Sequence, residues 1–169
     1  AYAFNQPIGR WNTSKVTDMQ FMFHRALAFN QPIGGWDTSQ VTDMANMFSL
    51  AYSFNQSIGG WNTSNVVSME AMFNVASDFN RPIGDWDTSR VKNMKEMFAT
   101  YVRAVFNQPL GNWNTSQVTD MSEMFRQATS FNQNLSAWIV SPNVKQCGSF
   151  ASSTPSWKLP KPSFDSCTP

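Results

Sequence analysis

Phe29-Asn30-Gln31-Pro32-Ile33-Gly34-Gly35-Trp36-Asp37-Thr38-Ser39-Gln40-Val41-Thr42-Asp43-Met44-Ala45-Asn46-Met47-Phe48-Ser49-Leu50-Ala51-Tyr52-Ser53 is one copy of a unit that fills most of this 169-residue chain. Units begin at Phe4, Phe29, Phe54, Phe79, Phe106 and Phe131, 25 residues apart except for a 27-residue step from Phe79 to Phe106. The two extra residues fit within Thr100–Val105. All 10 methionines occupy the two Met positions of the unit, and six of the seven tryptophans its Trp position (Trp11, Trp36, Trp61, Trp86, Trp113, Trp138). A period of this length is the signature of stacked repeats, in which no unit buries its apolar face alone.

Within a unit, Val16, Met19, Met22, Phe23 and Ala26 are spaced 3, 3, 1 and 3, as on one face of a helix. Thr13 and Ser14 precede them as candidate N-caps, with Asp18 in the first turn. The spacing predicts a short α- or 3₁₀-helix from about the Ser to the Phe; the β-branched residues at its start leave a short strand as the competing reading. The Phe-Asn-Gln-Pro-Ile-Gly half is too rich in Pro and Gly for a helix. It predicts a turn followed by a short strand at Ile-Gly-x-Trp. The expected architecture is therefore a repeat solenoid of about six parallel-stacked α/β coils over residues 1–150.

The sixth unit decays, as terminal repeats do. Asn134 and Leu135 replace Pro and Ile, and Val144, Cys147 and Phe150 take the Val and Met positions. Residues 151–169 form a Pro-rich segment read as a C-terminal cap. The only cysteines, Cys147 and Cys167, lie after the regular repeats. A disulfide there would staple the cap and place the chain in an oxidising compartment; two free thiols are the alternative. At the other end Ala1-Tyr2-Ala3 matches the tail of a unit, so the array is expected to begin mid-way, as a piece of a longer protein or a matured product.

Composition narrows the functional classes. Net charge is +1 and the basic residues do not cluster, which argues against nucleic acid as partner. No apolar run is long enough to span a bilayer.

The repeat W-[ND]-T-S-x-V-T-x-M-x-x-M-F-x-x-A-x-x-F-N-Q resembles the BspA-like leucine-rich-repeat surface proteins, the Mycoplasma-type lipoprotein repeat. The resemblance covers about residues 1–150. It implies a right-handed solenoid like that of leucine-rich repeats, secretion or surface display, and adhesion or protein binding with no catalytic residues.

Candidate sites fall in columns. The Thr column (Thr13, Thr38, Thr63, Thr88, Thr115) is either a row of N-caps or a flat ladder able to order ice, though its possible second column is broken at Val67 and Lys92. The Asn column (Asn5, Asn30, Asn55, Asn80, Asn107, Asn132) reads as a buried ladder satisfying turns. The column Asn12, Asp37, Asn62, Asp87, Asn114 could offer single carboxylates to Ca²⁺, but too far apart to share an ion. Met-x-x-Met pairs read as core packing, and His24 as a solvated side chain. Asn-x-Ser/Thr sequons occur at Asn12, Asn55, Asn62, Asn114 and Asn134, several of them products of the repeat. No cofactor or metal site emerges, and no nucleophile–base pair or carboxylate dyad stands outside the columns. Positions the core does not dictate are the candidate binding residues: Arg10, Asp85 and Asn112, beside the Trp. The functional expectation is a secreted or surface-displayed, non-catalytic module for adhesion or protein–protein binding. Binding of ice or glycan through a repeated Thr/Asn face is the alternative.

Overall fold

The computed structural model describes residues 2–169; Ala1, the first residue of the Ala1-Tyr2-Ala3 match, lies outside the described residues. Successive units form flat coils stacked one on the next, in register. Parallel bridges link Asp18 to Asp43, Ser68, Asn93, Asp120 and Gln146 in turn. These are isolated single-residue bridges; among the described residues there is neither a helix nor an extended strand. The expected α/β architecture, LRR-like with a strand and a helix per coil, is therefore corrected.

The reasons are local. At Ile-Gly-x-Trp the Trp N–H turns back to the Ile carbonyl (3.0–3.3 Å from Trp11 to Trp138, with Leu at the Ile position in the last two units), so the chain makes a β-turn where a strand was expected. At Met-x-x-Met-Phe-x-x-Ala the N–H groups alternate between two kinds of partner. In the second coil Met47, Ser49 and Ala51 bond three residues back, to Met44, Asn46 and Phe48. Met44, Asn46, Phe48 and Leu50 donate instead to Ser68, Glu70, Met72 and Asn74 of the next coil. Chained three-residue turns give the same 3, 3, 1, 3 spacing of apolar side chains as a helix, which is why the sequence mimics one.

Two residues in each of the first three coils interrupt any helical path by adopting left-handed backbone: Phe21 and Arg25, Asn46 and Leu50, Ala71 and Val75, with φ of 50–61°. Left-handed conformation costs a non-glycine residue about 1–2 kcal/mol. The stack offsets that cost, because the twisted peptides deliver four hydrogen bonds of 2.7–3.0 Å across each of five interfaces. Geometry also excludes helices. A helix is about 10 Å wide with its side chains. Coils here sit closer: ring centroids repeat every 6.3–6.5 Å along the Trp column, 5.8–6.0 Å along the Phe4 column and 5.3–5.7 Å from Phe23 to Phe125.

The core is the inside of the coils. Phe29, Ile33, Val41, Met44, Met47 and Phe48 are fully buried, and their counterparts in later coils match them. Phe48 stacks on Phe54 at 3.9 Å and tilts 24° against Trp61. Each indole N–H from Trp36 to Trp113 donates to the Ile carbonyl of the coil before it, and that of Trp138 to the Leu110 carbonyl, at 2.8–3.2 Å. The conserved spacing of glycine within the chain has a steric cause: a Cβ on Gly34 would lie 2.4 Å from the Ser57 carbonyl oxygen of the next coil, and one on Gly59 would lie 2.6 Å from that of Pro82.

The last coil is covered by the tail. Trp157 sets its ring edge against Phe131 (4.8 Å) and Phe125 (5.2 Å) and donates its Nε1–H to the Gln133 carbonyl (2.9 Å). Lys158 and Leu159 give their N–H groups to Asn132 Oδ1, and Leu135 N–H bonds the Pro160 carbonyl. The Cys147–Cys167 disulfide fastens the segment. The first coil, by contrast, leaves Trp11 55% exposed while the later repeat tryptophans are 3–4% exposed.

Candidate functional site

Most polar columns are occupied in holding coil to coil. Each Asn Oδ1 accepts the N–H of the equivalent Asn one coil on, from Asn5–Asn30 (2.9 Å) to Asn107–Asn132 (2.8 Å). Gln31, Gln56, Gln108 and Gln133 add a side-chain amide to the same oxygen, and Arg81 Nε–H bonds the Asn55 carbonyl in their place. The ladder satisfies turns as the sequence suggested, but it runs along the rim, half-buried or exposed, rather than inside.

The Thr column is the reverse case. Thr13, Thr38, Thr63, Thr88 and Thr115 are 1–5% exposed, and each hydroxyl donates to a carbonyl of the following coil at 2.9–3.0 Å. With no helix present they cap nothing, and with hydroxyl and methyl both enclosed they present no face to ice.

In the neighbouring column Asn12, Asp37, Asn62, Asp87 and Asn114 accept the N–H of the Ser two residues on, at 2.9–3.2 Å. Hydrogen bonds from the Ser39 and Ser89 hydroxyls, then from their N–H groups, hold the Asp37 and Asp87 carboxyls below the ordinary carboxylate range. Among the described residues no three His, Cys, Asp or Glu side chains converge as metal ligands do. Asp43 has its pKa raised, chiefly by burial, with the Ala45 N–H opposing and the Asp18 and Glu70 charges adding. Burial, then Arg25, lowers the pKa of His24, whose ring stands edge-on to Phe21 at 5.7 Å.

Arg10, Asp85 and Asn112 are exposed, each at the third position of its Ile-Gly-x-Trp turn. Gly35 and Gly60 stand between Arg10 and Asp85, so these two lie three coils apart and are not brought together. Arg10 borders a shallow cavity with Trp11 and Pro32.

The structure singles out a different place. In the fourth coil the left-handed residue expected at Thr100 is missing, and the chain bulges outward. Thr100 Oγ1 donates to the Val102 carbonyl (2.9 Å) and accepts the Val102 N–H (3.1 Å), which fixes the bulge. Tyr101 is left 63% exposed, with Val102 and Arg103 beside it. The bulge stands beside Gln127, Thr129, Ser153 and Thr154 of the next two coils, and together they line an open depression of about 600 Å³. The 27-residue step was the sequence signal for it, but nothing there said that the extra residues would form a wall.

A tandem array of in-register turn coils, closed at one end by a disulfide-fastened tail, defines the chain as a repeat protein. It belongs to the family described as Mycoplasma protein of unknown function, DUF285, whose model matches residues 1–74 and 56–158. No curated protein and no solved structure matches it. Among the described residues no helix is long and apolar enough to cross a membrane.

Proposed function

We propose that the chain is a non-catalytic binding module displayed outside the cell, serving adhesion or protein–protein contact. One observation carries this reading. The polar side chains that recur in every coil are occupied by their neighbours: Asn30 by Asn55, Thr38 by the Asn62 carbonyl, Trp36 by the Ile8 carbonyl. Chemistry available to a partner is therefore confined to positions that differ between coils. That is the division of labour of a scaffold presenting a variable surface. The Cys147–Cys167 bond supports an extracytoplasmic setting, since such bonds persist in oxidising compartments. The resemblance of the Trp-to-Phe motif to BspA-like surface proteins supports adhesion.

The test is a binding screen of the intact chain against extracellular glycans and secreted or surface proteins, with substrate-turnover assays run alongside. Saturable binding that Arg10→Ala/Asp85→Ala or Tyr101→Ala weakens is the expected result. Catalytic turnover, or no saturable ligand across the screen, would overturn the reading.

A further inference from the structure

The groove under the Tyr101 bulge combines three features that arise independently. The first is an aromatic platform, because the two-residue insertion leaves Tyr101 63% exposed on a bulge whose backbone the Thr100 hydroxyl fixes at Val102. The second is a positive charge without a partner. Arg103 forms no ion pair among the described residues, and no carboxylate lines the groove. The third is a row of aligned peptide dipoles. One chain of hydrogen bonds runs Arg25 N–H to Ser49 carbonyl, Leu50 to Asn74, Val75 to Ala99, Thr100 to Arg126 and Gln127 to Ser152. Every peptide in it points its N–H toward the C-terminal coil, so the positive end falls at the Ser153 N–H, which has no acceptor among the described residues and borders the groove. Successive N–H groups in mixed right- and left-handed backbone form concavities suited to anions.

The same depression is lined by Gln127, Thr129 and Thr154, which bring an amide and two hydroxyls to the ring and the guanidinium. Sugars match this pattern: an apolar C–H face for a ring, hydroxyls for amides and alcohols, and, in acidic sugars, a carboxylate for a guanidinium. A peptide matches it less well. Strand addition needs an extended backbone edge, and the open edge of the last coil, at Ser149–Ser153, is a run of turns whose Ser149 and Ala151 carbonyls already accept from Ser152 N–H and the Thr154 hydroxyl. We propose that this groove binds a carboxylate-bearing saccharide unit of the hexuronate class. Tyr101 stacks on the sugar face, Arg103 and the Ser153 N–H hold the carboxylate, and Gln127, Thr129 and Thr154 read the hydroxyls. The proposal deepens the binding-module reading and rests on it.

The experiment is titration of the full chain with a glucuronate-containing oligosaccharide, followed by calorimetry and amide chemical shifts. The methyl ester of the same oligosaccharide serves as a neutral control, and a glutamate-rich peptide as the competing acidic ligand. Arg103→Ala and Tyr101→Ala should each weaken binding about tenfold or more, the loss expected for one charge-assisted or stacking contact. Arg103→Lys should recover part of it, and the ester should bind the wild type about as weakly as the acid binds Arg103→Ala. Lys15→Ala, exposed in the first coil and absent from the groove lining, should change nothing. Both groove side chains are exposed, so unchanged thermal midpoints will certify the fold. No saturable binding at millimolar oligosaccharide, equal affinity for the ester, or equal affinity of the groove variants would overturn the proposal. So would tighter binding of the peptide. If the screen yields a ligand that the groove variants bind normally, the groove assignment fails while the binding-module reading stands.

Discussion

Gly59 and Gly60 are adjacent and chemically identical, yet the stack treats them differently. A methyl group at Gly59 would meet the Pro82 carbonyl oxygen at 2.6 Å, while one at Gly60 meets nothing within 4 Å. Gly59→Ala should therefore cost about 2 kcal/mol, the scale of a core overpacking. Gly60→Ala should stay within about 0.5 kcal/mol of the parent or gain slightly from a stiffer unfolded chain. Urea unfolding of the pair reads the difference, and equal losses would refute the close approach. Asp43 gives a second residue-level expectation. Its folded pKa is raised, so between the ordinary carboxylate value and that higher one the folded chain binds more protons than the unfolded. Its contribution to stability falls as pH rises through that window. Asp37 and Asp87 act in the opposite sense: their pKa values are lowered, and what they contribute is lost as pH falls through the folded values. Asp43→Asn keeps the oxygen that accepts the Ala45 N–H, as Asn93 does for Lys95. It should raise stability at pH 7 and leave it unchanged at pH 3; a drop at pH 7 in chemical denaturation would contradict the burial argument.

At the level of one coil, the turn run from Met to Ala is where sequence and structure parted. Register, period and the inward set of Phe, Ile, Trp, Val and Met were legible, because burial in a stack imposes them residue by residue. Helix and strand were not. The Val16-to-Ala26 spacing is shared by a helix and by chained turns, and the decisive fact, hydrogen bonds to a residue about 25 positions away, has no local signature. The left-handed residues were equally hidden, since Phe21, Asn46, Ala71, Glu96 and Glu123 share no side-chain chemistry that favours that backbone. Their strain is measurable. Ala71, at φ 50°, should tolerate glycine with a change of no more than about 0.5 kcal/mol, as relief of strain offsets lost stiffness. Ala45, one turn position earlier in its own coil and at ordinary φ, should lose about 1 kcal/mol on the same change. Matching losses at both sites would show that the left-handed backbone is not strained.

Across the whole molecule, the backbone hydrogen bonds between coils run from each coil to the next, so stability should be propagated from coil to coil rather than shared evenly. The disulfide spans 20 residues of sequence at one end, which corresponds to about 3 kcal/mol in the chain-entropy model. Reduction should speed amide hydrogen exchange first in residues 131–169 and leave 29–78 protected; a uniform acceleration would mean that the stack unfolds as one unit. The candidate site was legible only in part at this scale. The sequence marked the odd spacing after Phe79 and the variable exposed positions, Arg10, Asp85 and Asn112. The groove needs three coils, and its floor of Gln127, Thr129, Ser153 and Thr154 looks unremarkable in a linear reading.

The indole column has an optical consequence. Six tryptophans stand with consecutive planes within 1–8° and centroids 6.3–6.5 Å apart. At that separation electronic excitation hops between rings faster than it is emitted. Because the ring planes are nearly parallel and the indole N–H groups from Trp36 to Trp138 point at equivalent carbonyls, the hops largely keep polarisation. Ultraviolet light absorbed at one indole should thus be emitted from any ring of the column with much of its orientation preserved.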